Sequence, residues 1–97
     1  MKILAIEHEM EGVEWDNLVD LLRVEAQFVY NLYLCDSLRE IYFTENKNAV
    51  LVLETEDKKA AIKLLESLPL VKSRKIKCEV MELRPYTGYE RIMEKYE

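Results

Sequence analysis

A glutamate interrupts the apolar stripe of a predicted helix near the start of the chain. Between residues 18 and 32, apolar side chains recur at intervals of three and four, the spacing of one helical face. Glu25 falls near the middle of that face. A carboxylate among apolar groups must be paired, protonated or beside a polar pocket. Glu25 is therefore a candidate catalytic acid or base, whose pKa is tuned by burial and which moves a proton next to a carbonyl group. The members of the stripe are Leu18, Leu21, Leu22, Phe28, Val29 and Leu32.

Arg39 is the natural partner of this glutamate, because it follows the helix within a few residues. As a second catalytic candidate it could hold a substrate carboxylate through two parallel hydrogen bonds. Two structural alternatives remain open for the pair. Glu25 and Arg39 could form a buried ion pair, or each could end in solvent as an ordinary surface charge.

Four further residues are candidates for ligand binding. His8 follows the first predicted strand and is the type of side chain that titrates near neutral pH. Tyr30, Tyr33 and Tyr42 could line a pocket and offer hydroxyl groups. The alternatives are a solvated histidine in an acidic loop and tyrosines that belong to a core or an interface.

The composition excludes several other classes of protein. Two cysteines and one histidine fall short of a metal motif, and there is no Gly-rich phosphate loop, so we expect no metal and no cofactor. A formal charge of −5 argues against nucleic acid as a partner. No apolar run is long enough for a membrane helix, and no signal peptide is evident. A cytoplasmic location follows as an expectation, with Cys35 and Cys78 reduced and serving as small apolar fillers.

The periodicity predicts four strands and two helices in the order β-α-β-β-α-β. The predicted strands are Lys2–Glu7, Leu38–Phe43, Ala49–Glu54 and about Ile76–Leu83. The first helix runs from an N-cap at Asp16 to about Leu34. The second begins at an N-cap on Thr55 and ends near Ser67, ahead of Pro69. A proline at residue 85 separates a tail, 85–97, in which Tyr89–Tyr96 is expected to form a terminal helix.

This order predicts one ferredoxin-like α+β domain over residues 1–97, with a four-stranded antiparallel sheet. The first and third strands are apolar on both faces and should be central. The second strand is mixed and suits an edge. Strict alternation places Leu38, Glu40 and Tyr42 on one of its faces, with Arg39, Ile41 and Phe43 on the other.

The same topology predicts a partner for the sheet. Right-handed connections put both helices on one face, which leaves the other face with exposed apolar side chains. Two copies of the chain should therefore stack sheet on sheet as a homodimer, with the tail touching the partner.

Several segments resemble the muconolactone isomerase family of the dimeric α/β-barrel superfamily. They are the long helix with Glu25-Ala26, the step Leu38-Arg39-Glu40-Ile41-Tyr42 into the second strand, Leu68-Pro69-Leu70 at the end of the second helix, the fourth strand, and the proline with its tail. The resemblance implies a small protomer that dimerises by its sheets, sometimes into larger rings. It also implies a pocket between sheet and helices that handles small organic acids or lactones without a cofactor. Tyr42 departs from the pattern, since the isomerases favour tryptophan there.

Three functional hypotheses follow. The first is a cofactor-independent isomerase-like enzyme with Glu25 as proton carrier and Arg39 as anion holder. The second is a ligand-binding or assembly module that uses the same barrel without catalysis. The third is a monooxygenase of the same superfamily, which would hold an oxidisable aromatic molecule or haem in its pocket.

Overall fold

The computed structural model describes residues 1–93 and contains four strands and four α-helices. The prediction for β2, β3 and β4 is confirmed to the residue, whereas β1 continues two residues beyond its predicted end. The strands are β1 (Lys2–Glu9), β2 (Leu38–Phe43), β3 (Ala49–Glu54) and β4 (Ile76–Leu83). The helices are α1 (Val19–Leu34), α2 (Lys58–Glu66), α3 (Pro69–Lys72) and α4 (Glu90–Met93).

The four strands form one antiparallel sheet in the order β2-β3-β1-β4. β1 pairs with both β3 and β4, with Ala5 opposite Leu51 on one side and opposite Val80 on the other. The predicted ferredoxin-like α+β fold is therefore confirmed, with the two doubly apolar strands at the centre. β2 is an edge strand, as its mixed composition indicates.

The core lies between this sheet and α2. Alternate residues of the central strands point towards the helix, among them Ile3, Leu51 and Leu53, each with no exposed surface. Ala61 and Leu65 of α2 pack on them from above. α1 adds much less, because Glu25 is its one buried residue. The long helix therefore stands partly away from the sheet.

Several predicted boundaries are wrong because their capping groups differ. Asp16 lies inside a 3-10 turn, Trp15–Asn17, so α1 begins later, without a side-chain cap. Asp57, rather than Thr55, caps α2 by accepting a hydrogen bond from the amide of Ala60 at 2.7 Å. Pro69 does more than end α2, since it occupies the first turn of α3, where its missing N–H costs nothing.

The alternation predicted for β2 is also wrong. A register shift between Leu38 and Glu40 inserts one extra residue, so Leu38 pairs with Leu53 while Ile41 pairs with Leu51. Leu38 and Ile41 therefore share the inner face, and Arg39 lies in the irregularity. Cys35 likewise is no apolar filler, because it is exposed at the end of α1 and its thiol faces the carbonyl of Leu32 at 3.5 Å.

Among residues 1–93, no helix packs against the outer face of the sheet. Its apolar side chains are partly exposed and form a continuous patch, here called the open face, because they pair across the strands. Its members are Leu4, Ile6, Val50, Val52 and Met81. Within residues 1–93, no helix has the length and apolar character to cross a membrane.

The chain is elongated, with extents of 63 × 28 × 19 Å and a radius of gyration of 16.7 Å. A compact domain of this size has a radius of about 13 Å. Since β4 and α1 each span only about 25 Å, the extra length comes from the tail after Leu83. Tyr86, Tyr89 and Ile92 on this tail are more than half exposed. The predicted terminal helix is present as α4, and its predicted continuation to residue 96 lies outside the described residues.

Candidate functional site

A cavity of about 630 Å³ separates α1 from the sheet. One wall is the inner face of α1, and the other consists of the inward side chains of β1, β2 and the start of β3. Trp15 lines one edge, before α1 begins, and Lys47 with Asn48 lines another, in the turn between β2 and β3. The walls are mainly apolar, with a few polar groups among them, which is the usual character of a small-molecule site.

Glu25 lines this cavity, as the sequence predicts for a helical position on the apolar stripe. Its side chain is 7% exposed. One carboxylate oxygen, Oε1, accepts a hydrogen bond of 3.0 Å from the backbone amide of Leu70. That amide belongs to the first turn of α3, where backbone N–H groups have no partner within the helix. The Leu68-Pro69-Leu70 segment thus fixes the position of the buried carboxylate.

Burial raises the pKa of the Glu25 carboxyl group, and the hydrogen bond from Leu70 opposes that rise. The two effects have plain causes: a low-dielectric environment disfavours the charged form, whereas an N–H donor favours it. Glu25 is therefore fixed in place and able to exchange a proton nearer to neutral pH than an exposed glutamate. Both properties are those of a general acid or base.

Glu7 is a second carboxyl group in the cavity, which the sequence prediction missed. It follows Ile3 and Ala5 in the alternation of β1, and β1 continues to Glu9, so its side chain turns inward. Burial raises the pKa of Glu7 to about 7, and the charge of Glu25 acts in the same direction. The available signal was the alternation itself, once the strand is extended past Glu7.

The same two carboxylates affect the pKa of the Cys78 thiol. Cys78 lies directly opposite Glu7 on the neighbouring strand β4. Burial, followed by the charges of Glu7 and Glu25, raises the pKa of this thiol to about 12. Cys78 therefore stays a neutral thiol and contributes no charge to the region. The carboxyl groups are the titrating groups at this end of the cavity.

Aromatic side chains supply much of the remaining wall. Tyr30 and Tyr33 line the cavity, with their ring centroids 6.4 Å apart. Trp15 joins them, and its indole Nε1 is buried with no hydrogen-bond partner among residues 1–93. An unpaired buried donor is uncommon in proteins.

Three predicted site residues lie elsewhere. Arg39 donates from Nε to the carbonyl oxygen of Asp36 at 2.8 Å and does not line the cavity. His8 is on the opposite face of the sheet, where Nε2 lies 3.3 Å from Oε1 of Glu79. Tyr42 is 59% exposed and donates to the neighbouring Glu40 at 2.9 Å. The buried ion pair between Glu25 and Arg39 is thus replaced by the bond from the Leu70 amide.

The solved structures with a similar fold include two enzymes. Muconolactone isomerase matches with a TM-score of 0.72 at 15% sequence identity, over 91% of this chain and 93% of that chain. A 5-chloro-2-hydroxyhydroquinone dehydrochlorinase from Burkholderia phenoliruptrix, in complex with 2,5-dihydroxybenzoquinone, matches with a TM-score of 0.69 at 13% identity. That match covers 91% of this chain and 98% of the other. No family model and no curated protein matches the sequence. The chain has the fold of muconolactone isomerase, and the resemblance stated from the sequence is confirmed at the level of fold.

Proposed function

We propose that this chain is a cofactor-independent enzyme that moves a proton on a small oxygen-bearing ring, such as a lactone or a small organic acid. Glu25 is the proton carrier. The observation that carries the proposal is a buried carboxylate on the wall of a 630 Å³ cavity, held by one backbone amide. Arg39 has no part in this scheme, since it does not line the cavity. Tyr30 and Tyr33 form the surface on which the ring lies.

The two similar structures support the same class of chemistry. One is an isomerase of a lactone, and the other removes hydrogen chloride from a hydroxylated ring. Both an isomerisation and an elimination of this kind begin with the removal of a proton by a base. A single carboxylate in an apolar cavity is able to serve either reaction.

Deuterium exchange on simple lactones tests the role of Glu25 and does not require the natural substrate. The purified protein is incubated in D₂O with two neutral butenolides, α-angelica lactone and β-angelica lactone, in separate samples, and ring protons are followed by NMR. We expect exchange or migration of the double bond with wild type. Glu25→Gln keeps the shape of the side chain and should slow the reaction at least about 100-fold.

Glu45→Gln is the matched control, because Glu45 is exposed in the turn between β2 and β3. Undiminished exchange in Glu25→Gln contradicts the proposal. Binding of either lactone without exchange identifies a ligand-binding module instead.

The proposal includes a homodimer formed by stacking of the open faces, with the enzyme located in the cytoplasm. The open face is apolar and continuous, and no element within residues 1–93 covers it. Two such faces pack well against each other. The elongated tail supports the second part of the assembly, in which each tail lies along the partner. Its exposed aromatic side chains, Tyr86 and Tyr89, would lose their contact with water there.

A further inference from the structure

The charged groups of the cavity limit the ligands that it can take. Among the described residues that line it, Glu7, Glu9 and Glu25 are acidic, and Lys47 is the one cation. A carboxylate on a ligand would therefore enter a cavity in which acids outnumber bases. Like charges at short range in an apolar environment repel strongly. An uncharged ligand meets no such penalty.

Glu7 is placed where its carboxyl group can interact with that of Glu25. Glu7 projects from the central strand β1, and Glu25 projects from α1 across the cavity. The two carboxyl groups are close enough for the charge of one to affect the protonation of the other. The backbone of Glu7 is fixed as well, because its carbonyl oxygen accepts a hydrogen bond of 2.8 Å from the Asn48 side chain.

We propose that Glu7 is a second acid–base group, which works as a pair with Glu25, and that this pair selects uncharged rings with hydroxyl or carbonyl groups over rings that carry a carboxylate. The inference rests on the proposed function, which it narrows from small acids and lactones to neutral molecules.

The proposed step balances without a further reagent. Glu25, as carboxylate, removes a proton from a ring carbon, and Glu7, as carboxylic acid, gives its proton to the ring oxygen. The ring leaves this step as a neutral enol, with Glu25 protonated and Glu7 ionised. Reversal at another ring carbon returns both protons and yields the isomer. Two carboxyl groups that share one proton are well suited to this exchange.

The protonation of Glu7 depends on the titratable groups that surround it. From its own strand the neighbour is Glu9, and from β4 it is Cys78, which stays neutral. α1 contributes Glu25 with two tyrosines, and the turn before β3 contributes Lys47. The acidic neighbours hold the proton on Glu7 to higher pH, and we expect Glu25 to have the largest effect among them.

A carboxyl NMR titration tests the pair directly in the wild-type protein. The side-chain carboxyl ¹³C signal assigned to Glu7, identified by its loss in Glu7→Gln, should titrate with a midpoint of about 7. In Glu25→Gln this midpoint should fall, because the neighbouring negative charge is gone. A midpoint at the ordinary value for glutamate in wild type, or no change in Glu25→Gln, overturns the pairing.

Two matched probes test the ligand class. Hydroquinone is neutral, and 2,5-dihydroxybenzoate is the same ring with one carboxylate; neither changes charge between about pH 6 and about pH 8. At the higher pH, we expect hydroquinone to bind at least about 10-fold more tightly than 2,5-dihydroxybenzoate. This ratio corresponds to about 1.4 kcal/mol of repulsion on the carboxylate. This preference should grow from the lower pH to the higher one, as Glu7 ionises, and should be constant with pH in Glu7→Gln.

Equal binding of the two probes, or no binding of hydroquinone, overturns the proposed ligand class. A pH-dependent preference that persists in Glu7→Gln removes Glu7 as its cause. These failures are separate from failure of the proposed function. If Glu25→Gln retains exchange on the lactones while the Glu7 titration behaves as described, the pair exists but the proposed reaction is wrong.

Discussion

Glu7 connects the chemistry of the cavity with the stability of the chain. Its pKa is raised from 4.5 to about 7 in the folded protein, so the folded state holds the proton over a pH range in which the unfolded chain has released it. The folded state therefore binds more protons than the unfolded state in that range. By linkage, this contribution to stability is present at low pH and is lost as the pH rises through the folded-state pKa.

Replacing Glu7 by glutamine should remove this pH dependence. The difference in the free energy of unfolding, Glu7→Gln minus wild type, should be larger at about pH 8 than at about pH 5. We expect this change to be about 1 to 3 kcal/mol, because only wild type loses the stabilisation as the pH rises. Denaturant titration at several pH values measures it, with m-values compared. Glu45→Gln, at an exposed position, should differ from wild type by an amount independent of pH. Parallel curves for Glu7→Gln and wild type would contradict the raised pKa.

The sequence predicts the cavity position of Glu25 but not that of Glu7. The pattern that marks Glu25 lies within one helix, whereas the pattern that marks Glu7 depends on pairing between distant strands. Glu25 is revealed by helical periodicity, which is local. Glu7 is revealed only by the extent of β1, which reaches Glu9, where it still pairs with Ile76 far along the chain. The position of Arg39 was hidden for a similar reason, since the irregularity at Leu38 and Glu40 exists only in the pairing of β2 with β3. Non-local pairing cannot be read from one strand alone.

At the scale of elements, the four-residue helix α3 positions the catalytic candidate. The backbone amide of Leu70 binds Glu25, and its carbonyl accepts a hydrogen bond of 2.9 Å from the amide of Lys75. A second bond, of 3.0 Å, joins the amide of Arg74 to the carbonyl of Val71. Together these bonds form a Schellman motif, whose turn residue is Arg74 with a φ of 60°.

Arg74 occupies a conformation that favours glycine, so Arg74→Gly should stabilise the chain. We expect a gain of about 0.5 to 1 kcal/mol, because relief of the left-handed strain exceeds the added entropy of the unfolded state. Thermal or denaturant unfolding measures the change. Lys72→Gly is the matched control, since Lys72 is exposed and helical and should lose stability by a similar amount. If Arg74→Gly also lost stability, the arginine side chain would stabilise the fold by more than its left-handed backbone conformation destabilises it.

At the scale of the whole molecule, the open face is the surface through which we propose that two chains associate. Leu4 is at its centre, with Val52 opposite on β3 and Met81 opposite on β4. A charge at that position would have to be removed from water in the stacked dimer, at considerable cost. The sequence predicts this face well, because both faces of the central strands are apolar and only one receives helices.

Leu4→Lys should therefore convert the proposed dimer to a monomer. We expect sedimentation equilibrium to give twice the chain mass of 11.5 kDa for wild type and the single chain mass for the variant. Val19→Lys is the control, because Val19 is 61% exposed on α1, away from the open face. A wild-type monomer at high concentration, or a dimer that survives Leu4→Lys, would contradict sheet stacking.

The loose attachment of α1 has a consequence for how the molecule moves. The helix carries the catalytic candidate and one wall of the cavity, yet Glu25 is its one buried side chain, and Leu22 and Phe28 are about 40% exposed. Elements with few buried apolar contacts open at a smaller free-energy cost than the core. Opening of α1 would both admit the ligand and release Glu25 from the Leu70 amide. A bound ring would fill the gap between α1 and the sheet, so the ligand would supply part of the hydrophobic core that the free chain lacks.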